Sequence, residues 1–145
     1  VTRFHFVRRW TLTSVAVLAA LLAGSCGTKL KLHPVRGQVF VAGKPAHGAI
    51  VVFHPLDTSS PDAPKPSGRV GADGSFTLST FSPGDGAPAG EYGVAIAWLD
   101  DAPPHPVTGE VPAKLSPRYS QPSTSRLVVR VAEGVNEVPP FKLDK

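Results

Sequence analysis

Val35-Arg-Gly-Gln-Val-Phe-Val-Ala-Gly-Lys-Pro-Ala-His-Gly-Ala-Ile-Val-Val-Phe-His-Pro55 decides the fold. Val35, Gly37, Val39 and Val41 alternate with Arg36, Gln38 and Phe40. A period of two lays one set of side chains on one face of a strand. Ala42-Gly43-Lys44-Pro45 then supplies turn residues, with Gly43 suited to a positive φ. Ala49–His54 follows as an unbroken run containing Ile50, Val51, Val52 and Phe53. Such a run suits a strand at the centre of a sheet or covered on both sides. Two strands joined by a short glycine turn, with no helical period nearby, point to an all-β chain.

The remainder continues the pattern. Ser67–Val70 and Ser75–Leu78 flank Ala72-Asp73-Gly74, and Asp-Gly between β-formers predicts a hairpin. Glu91–Trp98 alternates, with Tyr92, Val94, Ile96 and Trp98 on one face and Gly93, Ala95 and Ala97 on the other. Arg126–Ala132 turns Leu127, Val129 and Val131 inward, and a charge at Ile96 or Val129 is expected to unfold the domain. Glu137–Leu143 contains Pro139 and Pro140, so it is expected as an edge strand or a broken one. About seven short strands predict a single antiparallel β-sandwich. Three Pro-rich connections, Pro55–Pro66, Ser82–Ala89 and Leu99–Pro117, are the long loops on which binding surfaces are expected.

Ahead of this domain the chain changes character. Arg3, Arg8 and Arg9 precede an apolar run from Thr11 to Gly24, with no acidic residue, and Cys26 follows Ala23-Gly24-Ser25. The order basic, apolar, small reads as an export signal, expected as a helix over residues 1–25. The run is 14 residues long, whereas a bilayer-spanning helix needs about 20. Residues 26–33 are read as a cysteine and a short tether, and residues 34–145 as the folded domain. Without residues 1–25 the chain has 120 residues and 12 Lys and Arg against 11 Asp and Glu, a net charge near +1. Nucleic acid binding needs clustered positive charge, so no nucleic-acid partner is expected.

These motifs carry three resemblances. Cys26 after Ala23-Gly24-Ser25 resembles the lipobox of bacterial lipoproteins. That resemblance implies a diacylated Cys26, cleavage just before it, and a membrane partner reached through the N-terminal lipid. An ordinary signal peptide with an incidental cysteine is the alternative. Gly27 in place of Asp is compatible with sorting to the outer membrane, so a cell-envelope location, periplasmic or surface-facing, is expected. The segment 35–55, with Ala72-Asp-Gly-Ser-Phe-Thr-Leu78 and Gly90-Glu-Tyr-Gly-Val94, resembles carboxypeptidase-regulatory-like, or transthyretin-like, domains. Pro112-Ala-Lys-Leu-Ser-Pro-Arg-Tyr119 through Thr124–Val131, with Phe141-Lys-Leu143, resembles small lipoproteins of planctomycete-type bacteria. The hydroxyisourate hydrolases of the transthyretin-like fold carry a C-terminal Tyr-Arg-Gly-Ser, whereas this chain ends Phe141-Lys-Leu-Asp-Lys145.

Chemistry is sparse. His5, His33, His47, His54 and His105 show no metal-ligand spacing, and no G-x-S-x-G elbow occurs. No cofactor, no metal and no catalytic residue are expected. Asp85 within Gly84-Asp-Gly86, and Asp100-Asp101 after Trp98, are carboxylates read either as solvated turns or as calcium ligands. Trp98 and Tyr119 are aromatic groups read either as core or as a sugar-binding platform. The candidate ligand-binding residues are therefore Trp98, Asp100, Asp101 and Tyr119. The expected function is a non-catalytic, lipid-anchored interaction or structural module that binds another envelope component, a protein or polysaccharide, through its Pro-rich loops. A carbohydrate-binding protein with a polysaccharide partner is the alternative.

Overall fold

The computed structural model describes residues 30–57, 60 and 62–145. The expected signal helix over 1–25 and Cys26 lie outside the described residues. Among those described, no helix is long and apolar enough to cross a membrane.

The elements in chain order are β1 (Leu32–His33), β2 (Val35–Val41), β3 (Lys44–Pro45), β4 (Ile50–Pro55), β5 (Ser67–Arg69), β6 (Ser75–Thr77), β7 (Ala87–Pro88) and β8 (Gly90–Ala97). A 3-10 turn (Pro117–Ser120), one helical turn α1 (Pro122–Ser125), β9 (Val128–Val131), β10 (Asn136–Glu137) and β11 (Phe141–Leu143) complete the chain. Strands β5, β4, β8 and β9 form one antiparallel sheet in that order. The other sheet is built on β2, with β6 and β3 antiparallel to it and β10 and β11 parallel to it. A two-residue ribbon, β1 with β7, lies at one end. The molecule is an all-β sandwich.

Its core follows from the alternation. Val35, Val39 and Val41 of β2 are buried, as are Val51 and Phe53 of β4 and Tyr92, Val94 and Ile96 of β8. All join one cluster with Phe76, Leu78, Val131, Phe141 and Leu143. Phe53 and Tyr92 meet with ring centroids 5.6 Å apart. Phe76 and Phe141 stack at 6.2 Å.

Three features of the sheets have physical causes, the second of them as expected. The Asp73-Gly74 turn forms, closed by Gly71 N–H donating to the Ser75 carbonyl at 2.7 Å. Its arms do not pair as a ladder, because β5 joins β4 and β6 joins β2, each gaining a longer partner. They stay close, with Gly68 against the Thr77 backbone, and bridge at Ser67–Ser79. The C-terminal strand breaks at Pro139-Pro140 into β10 and β11, since neither proline offers an N–H to the ladder. Finally, the second face of β8 is covered. Gly93 and Ala95 are buried because the 117–125 segment packs on them. Ser125 Oγ donates to the Val94 carbonyl at 2.6 Å, and a Cβ at Gly93 would lie 3.0 Å from Pro122.

The ends of the sandwich differ. Strands β2 and β8 each follow directly on one strand of the β1–β7 ribbon, so both start at the same end. Eight residues of β8 at about 3.3 Å each carry the chain roughly 25 Å to the far end. There the long 99–116 connection begins.

Candidate functional site

The 99–116 connection is an ordered arm rather than an irregular loop. Leu99 bridges Ala113 in antiparallel fashion. Asp100 N–H donates to the Pro112 carbonyl and Lys114 N–H to the Trp98 carbonyl, both at 2.7 Å. At the tip, His105 N–H donates to the Glu110 carbonyl and Gly109 N–H to the His105 carbonyl, both at 2.8 Å. Val107 crowns this tip and is 86 % exposed. An open depression of about 700 Å³ beside it is lined by His105, Glu110, Val111, Pro112 and Pro117, among others.

Trp98 fastens the base of the arm. Its Nε1–H donates to the His47 carbonyl at 3.0 Å, and the half-buried ring packs on the core. Lys114 Nζ lies 5.6 Å from the ring centroid, a cation–π distance. The same ammonium sits 3.4 Å from Asp100 Oδ1 and 3.2 Å from Asp101 Oδ2. Its pKa is raised, first by the hydrogen bond to Asp101, with Asp100 adding to it. The two carboxylates thus share one lysine, which offsets half their charge. Among the described residues no cluster of three His, Cys, Asp or Glu side chains suits a metal ion.

Three of the four nominated residues, Trp98, Asp100 and Asp101, converge on Lys114. Tyr119 does not join them. It is the buried residue of the 3-10 turn, its hydroxyl bonded by Arg118 and its ring 4.5 Å from the Arg118 guanidinium carbon. Displayed stacking on a sugar ring is closed to a tyrosine so placed. Lys114 escaped the sequence reading because it meets Asp100 only once the arm has folded back. Trp98 emission should be blue-shifted and protected from acrylamide once Trp10 is removed, and Lys114→Ala should raise its quenching. Full quenching already present in the parent protein would contradict the fastening role.

Asp85, the other carboxylate weighed as a turn or a calcium ligand, is consumed locally. Asp85 accepts N–H bonds from Thr80 at 2.6 Å, Phe81 at 2.9 Å and Ser82 at 2.8 Å. These bonds, that from Thr80 foremost, hold its pKa below the ordinary 3.8. Asp73 is likewise lowered, by the Ser75 hydroxyl and then its N–H. A carboxyl with a lowered folded pKa adds stability that is present above its unfolded value and lost as pH falls through the folded one. Stability should therefore decline below about pH 4. Asp85→Asn should lower the melting temperature at pH 7 and flatten that acid decline, as read by thermal unfolding from pH 7 to pH 2.5.

One further grouping had no local signal. Arg118, Arg126 and Lys142, with Thr124 and Ser125, line an open groove of about 470 Å³. Arg118 is paired with Asp144 at 3.4 Å. Arg126 adopts a left-handed backbone with φ of +58°, at the point where α1 gives way to β9.

No family model matches the sequence, and no curated protein matches it. Solved structures do. A 9R-lipoxygenase from Cyanothece PCC8801 is similar at 13 % identity, over 78 % of this chain and 16 % of that one, with a TM-score of 0.40. A DUF3823 family protein from Parabacteroides merdae ATCC 43184 is similar at 18 % identity, over 77 % and 44 %, with a TM-score of 0.37. Another, from Bacteroides ovatus ATCC 8483, is similar at 12 %, over 74 % and 44 %, with a TM-score of 0.35. The chain spans less than half the length of each of these proteins.

Proposed function

We propose that this chain is a lipid-anchored, non-catalytic envelope protein, a carboxypeptidase-regulatory-like module of the planctomycete lipoprotein type that presents the 99–116 arm to an envelope protein. One observation carries this reading. The described chain enters at the β1–β7 end, and the ordered arm leaves from the opposite end of the sandwich. Five residues separate Cys26 from Leu32, so the tether reaches only about 20 Å when extended. A lipid on Cys26 then holds one end near the bilayer and turns the arm away from it. The arm is held by its own hydrogen bonds and by Lys114, so ordering it for a partner costs little conformational entropy.

Carbohydrate binding is the weaker reading, because the indole N–H is already used by His47 and the ring by Lys114. The test is Cys26→Ser. The parent protein is expected in the membrane fraction with a diacylated N-terminal cysteine by mass spectrometry. The variant is expected in the soluble fraction. A variant that remains membrane-bound and processed would overturn the anchor.

A further inference from the structure

We propose that the end of the sandwich at which the tether arrives is a second membrane contact, in which Phe81 and Val135, with Leu30, insert into the bilayer surface. The inference rests on the lipid-anchor reading and deepens it, because the anchor decides which end faces the lipid.

Two loops meet the entering chain. One is the 80–86 loop, braced by Asp85 and pressed against the backbone of His33 through Gly86. The other is the 132–135 loop, where Gly134 N–H donates to His33 Nδ1 at 2.9 Å. Asn136 N–H donates to the Pro34 carbonyl at 2.9 Å and closes it. Each loop carries a large apolar side chain in solvent: Phe81 is 71 % exposed and Val135 is 70 % exposed. Leu30, two residues ahead of β1, is 49 % exposed. A soluble surface gains nothing from such groups gathered around one strand, and exposed apolar groups together mark a contact site. Membrane lipid is the occupant because the sequence from Cys26 to Leu32 keeps this end within about 20 Å of the bilayer surface.

Apart from Asp85, whose carboxylate is taken up by backbone N–H groups, the charged residues here come in opposite-sign pairs. Lys31 pairs with Glu133 at 3.5 Å, Arg36 lies opposite Glu137 in register, and Arg130 lies opposite Glu91. The contact is therefore apolar insertion, and it should not require anionic lipid. The braced loops present their side chains without losing further freedom.

The experiment uses the full-length lipidated protein in phosphatidylcholine vesicles. Phe81→Cys, Val135→Cys and Val107→Cys each carry an environment-sensitive fluorophore, since acylation leaves Cys26 without a free thiol. Labels at 81 and 135 are expected to shift to the blue and to be quenched by bilayer nitroxides. The label at 107 is expected to do neither. Amide exchange on the unlabelled protein should slow at 80–86 and 132–135 when vesicles are present, which guards against a label that disturbs the fold. Protein that floats with vesicles while 81 and 135 report water overturns this contact and leaves the anchor standing. Protein that does not float overturns both. A blue shift that needs added phosphatidylglycerol overturns apolar insertion. A shift that rises with protein concentration without vesicles assigns the patch to a second copy of the chain and overturns the proposal.

Discussion

Ile96→Asp is expected to abolish folding altogether. Ile96 lies near the end of β8, is 1 % exposed, and pairs in register with Val51 of β4. Substitution removes about 1.5–3 kcal/mol of apolar burial. It also places an unpaired carboxyl in the core, an effective penalty of several kcal/mol more. Together these approach the whole stability of an ordinary domain, about 5–15 kcal/mol. Residues 27–145 carrying the change should show no cooperative thermal transition. The same charge at Val129 has a different fate. Alternation predicts the two positions to be equivalent, yet Val129 is only partly buried, on the edge strand β9. An edge position leaves the carboxylate a route to water, so Val129→Asp should fold with a lower melting temperature. A folded Ile96→Asp would remove the basis for placing the core between the two sheets.

Gly86→Ala is the second large effect, and its cause is backbone geometry. Gly86 has φ of +91°, and a Cβ there would lie 1.9 Å from the His33 carbonyl oxygen. That oxygen belongs to β1, so accommodating the methyl means prising the β1–β7 ribbon apart. A loss of roughly 2–4 kcal/mol is expected from strain and the broken contact together. For a domain of this size that lowers the melting temperature by about 10–20 °C. Gly109→Ala is the matched comparison, with φ of +70° and nothing within 4 Å of the added Cβ. It should cost only about 1 kcal/mol of left-handed strain. Equal losses for the two variants would mean that the ribbon contributes nothing.

The frame was legible wherever side-chain period speaks directly of burial. Strand β2 buries Val35, Val39 and Val41 as its alternation requires, and Pro139-Pro140 breaks the last strand where a missing N–H must. What escaped depends on groups far apart in the chain. Alternation along β8 left Gly93 and Ala95 on an unassigned face, and their small size makes sense only once Pro122 and Ser125 lie on them. The Asp73-Gly74 signal fixed a turn, but which strands its arms join was settled by competition with β2 and β4. Trp98, Asp100 and Asp101 were visible as unusual residues at a strand end. Lys114, which unites them, has no local mark in a Pro-rich stretch. Tyr119 stayed open between core and platform because the short helical turns around it are too brief to leave a period.

The opposite roles of the two ends are tested most directly by photo-crosslinkers placed at Val107 and at Phe81 in living cells. One discrete protein adduct is expected from position 107, lost or altered in Cys26→Ser cells, and phospholipid adducts from position 81. Phospholipid adducts from position 107, or the same protein captured from both positions, would contradict those roles.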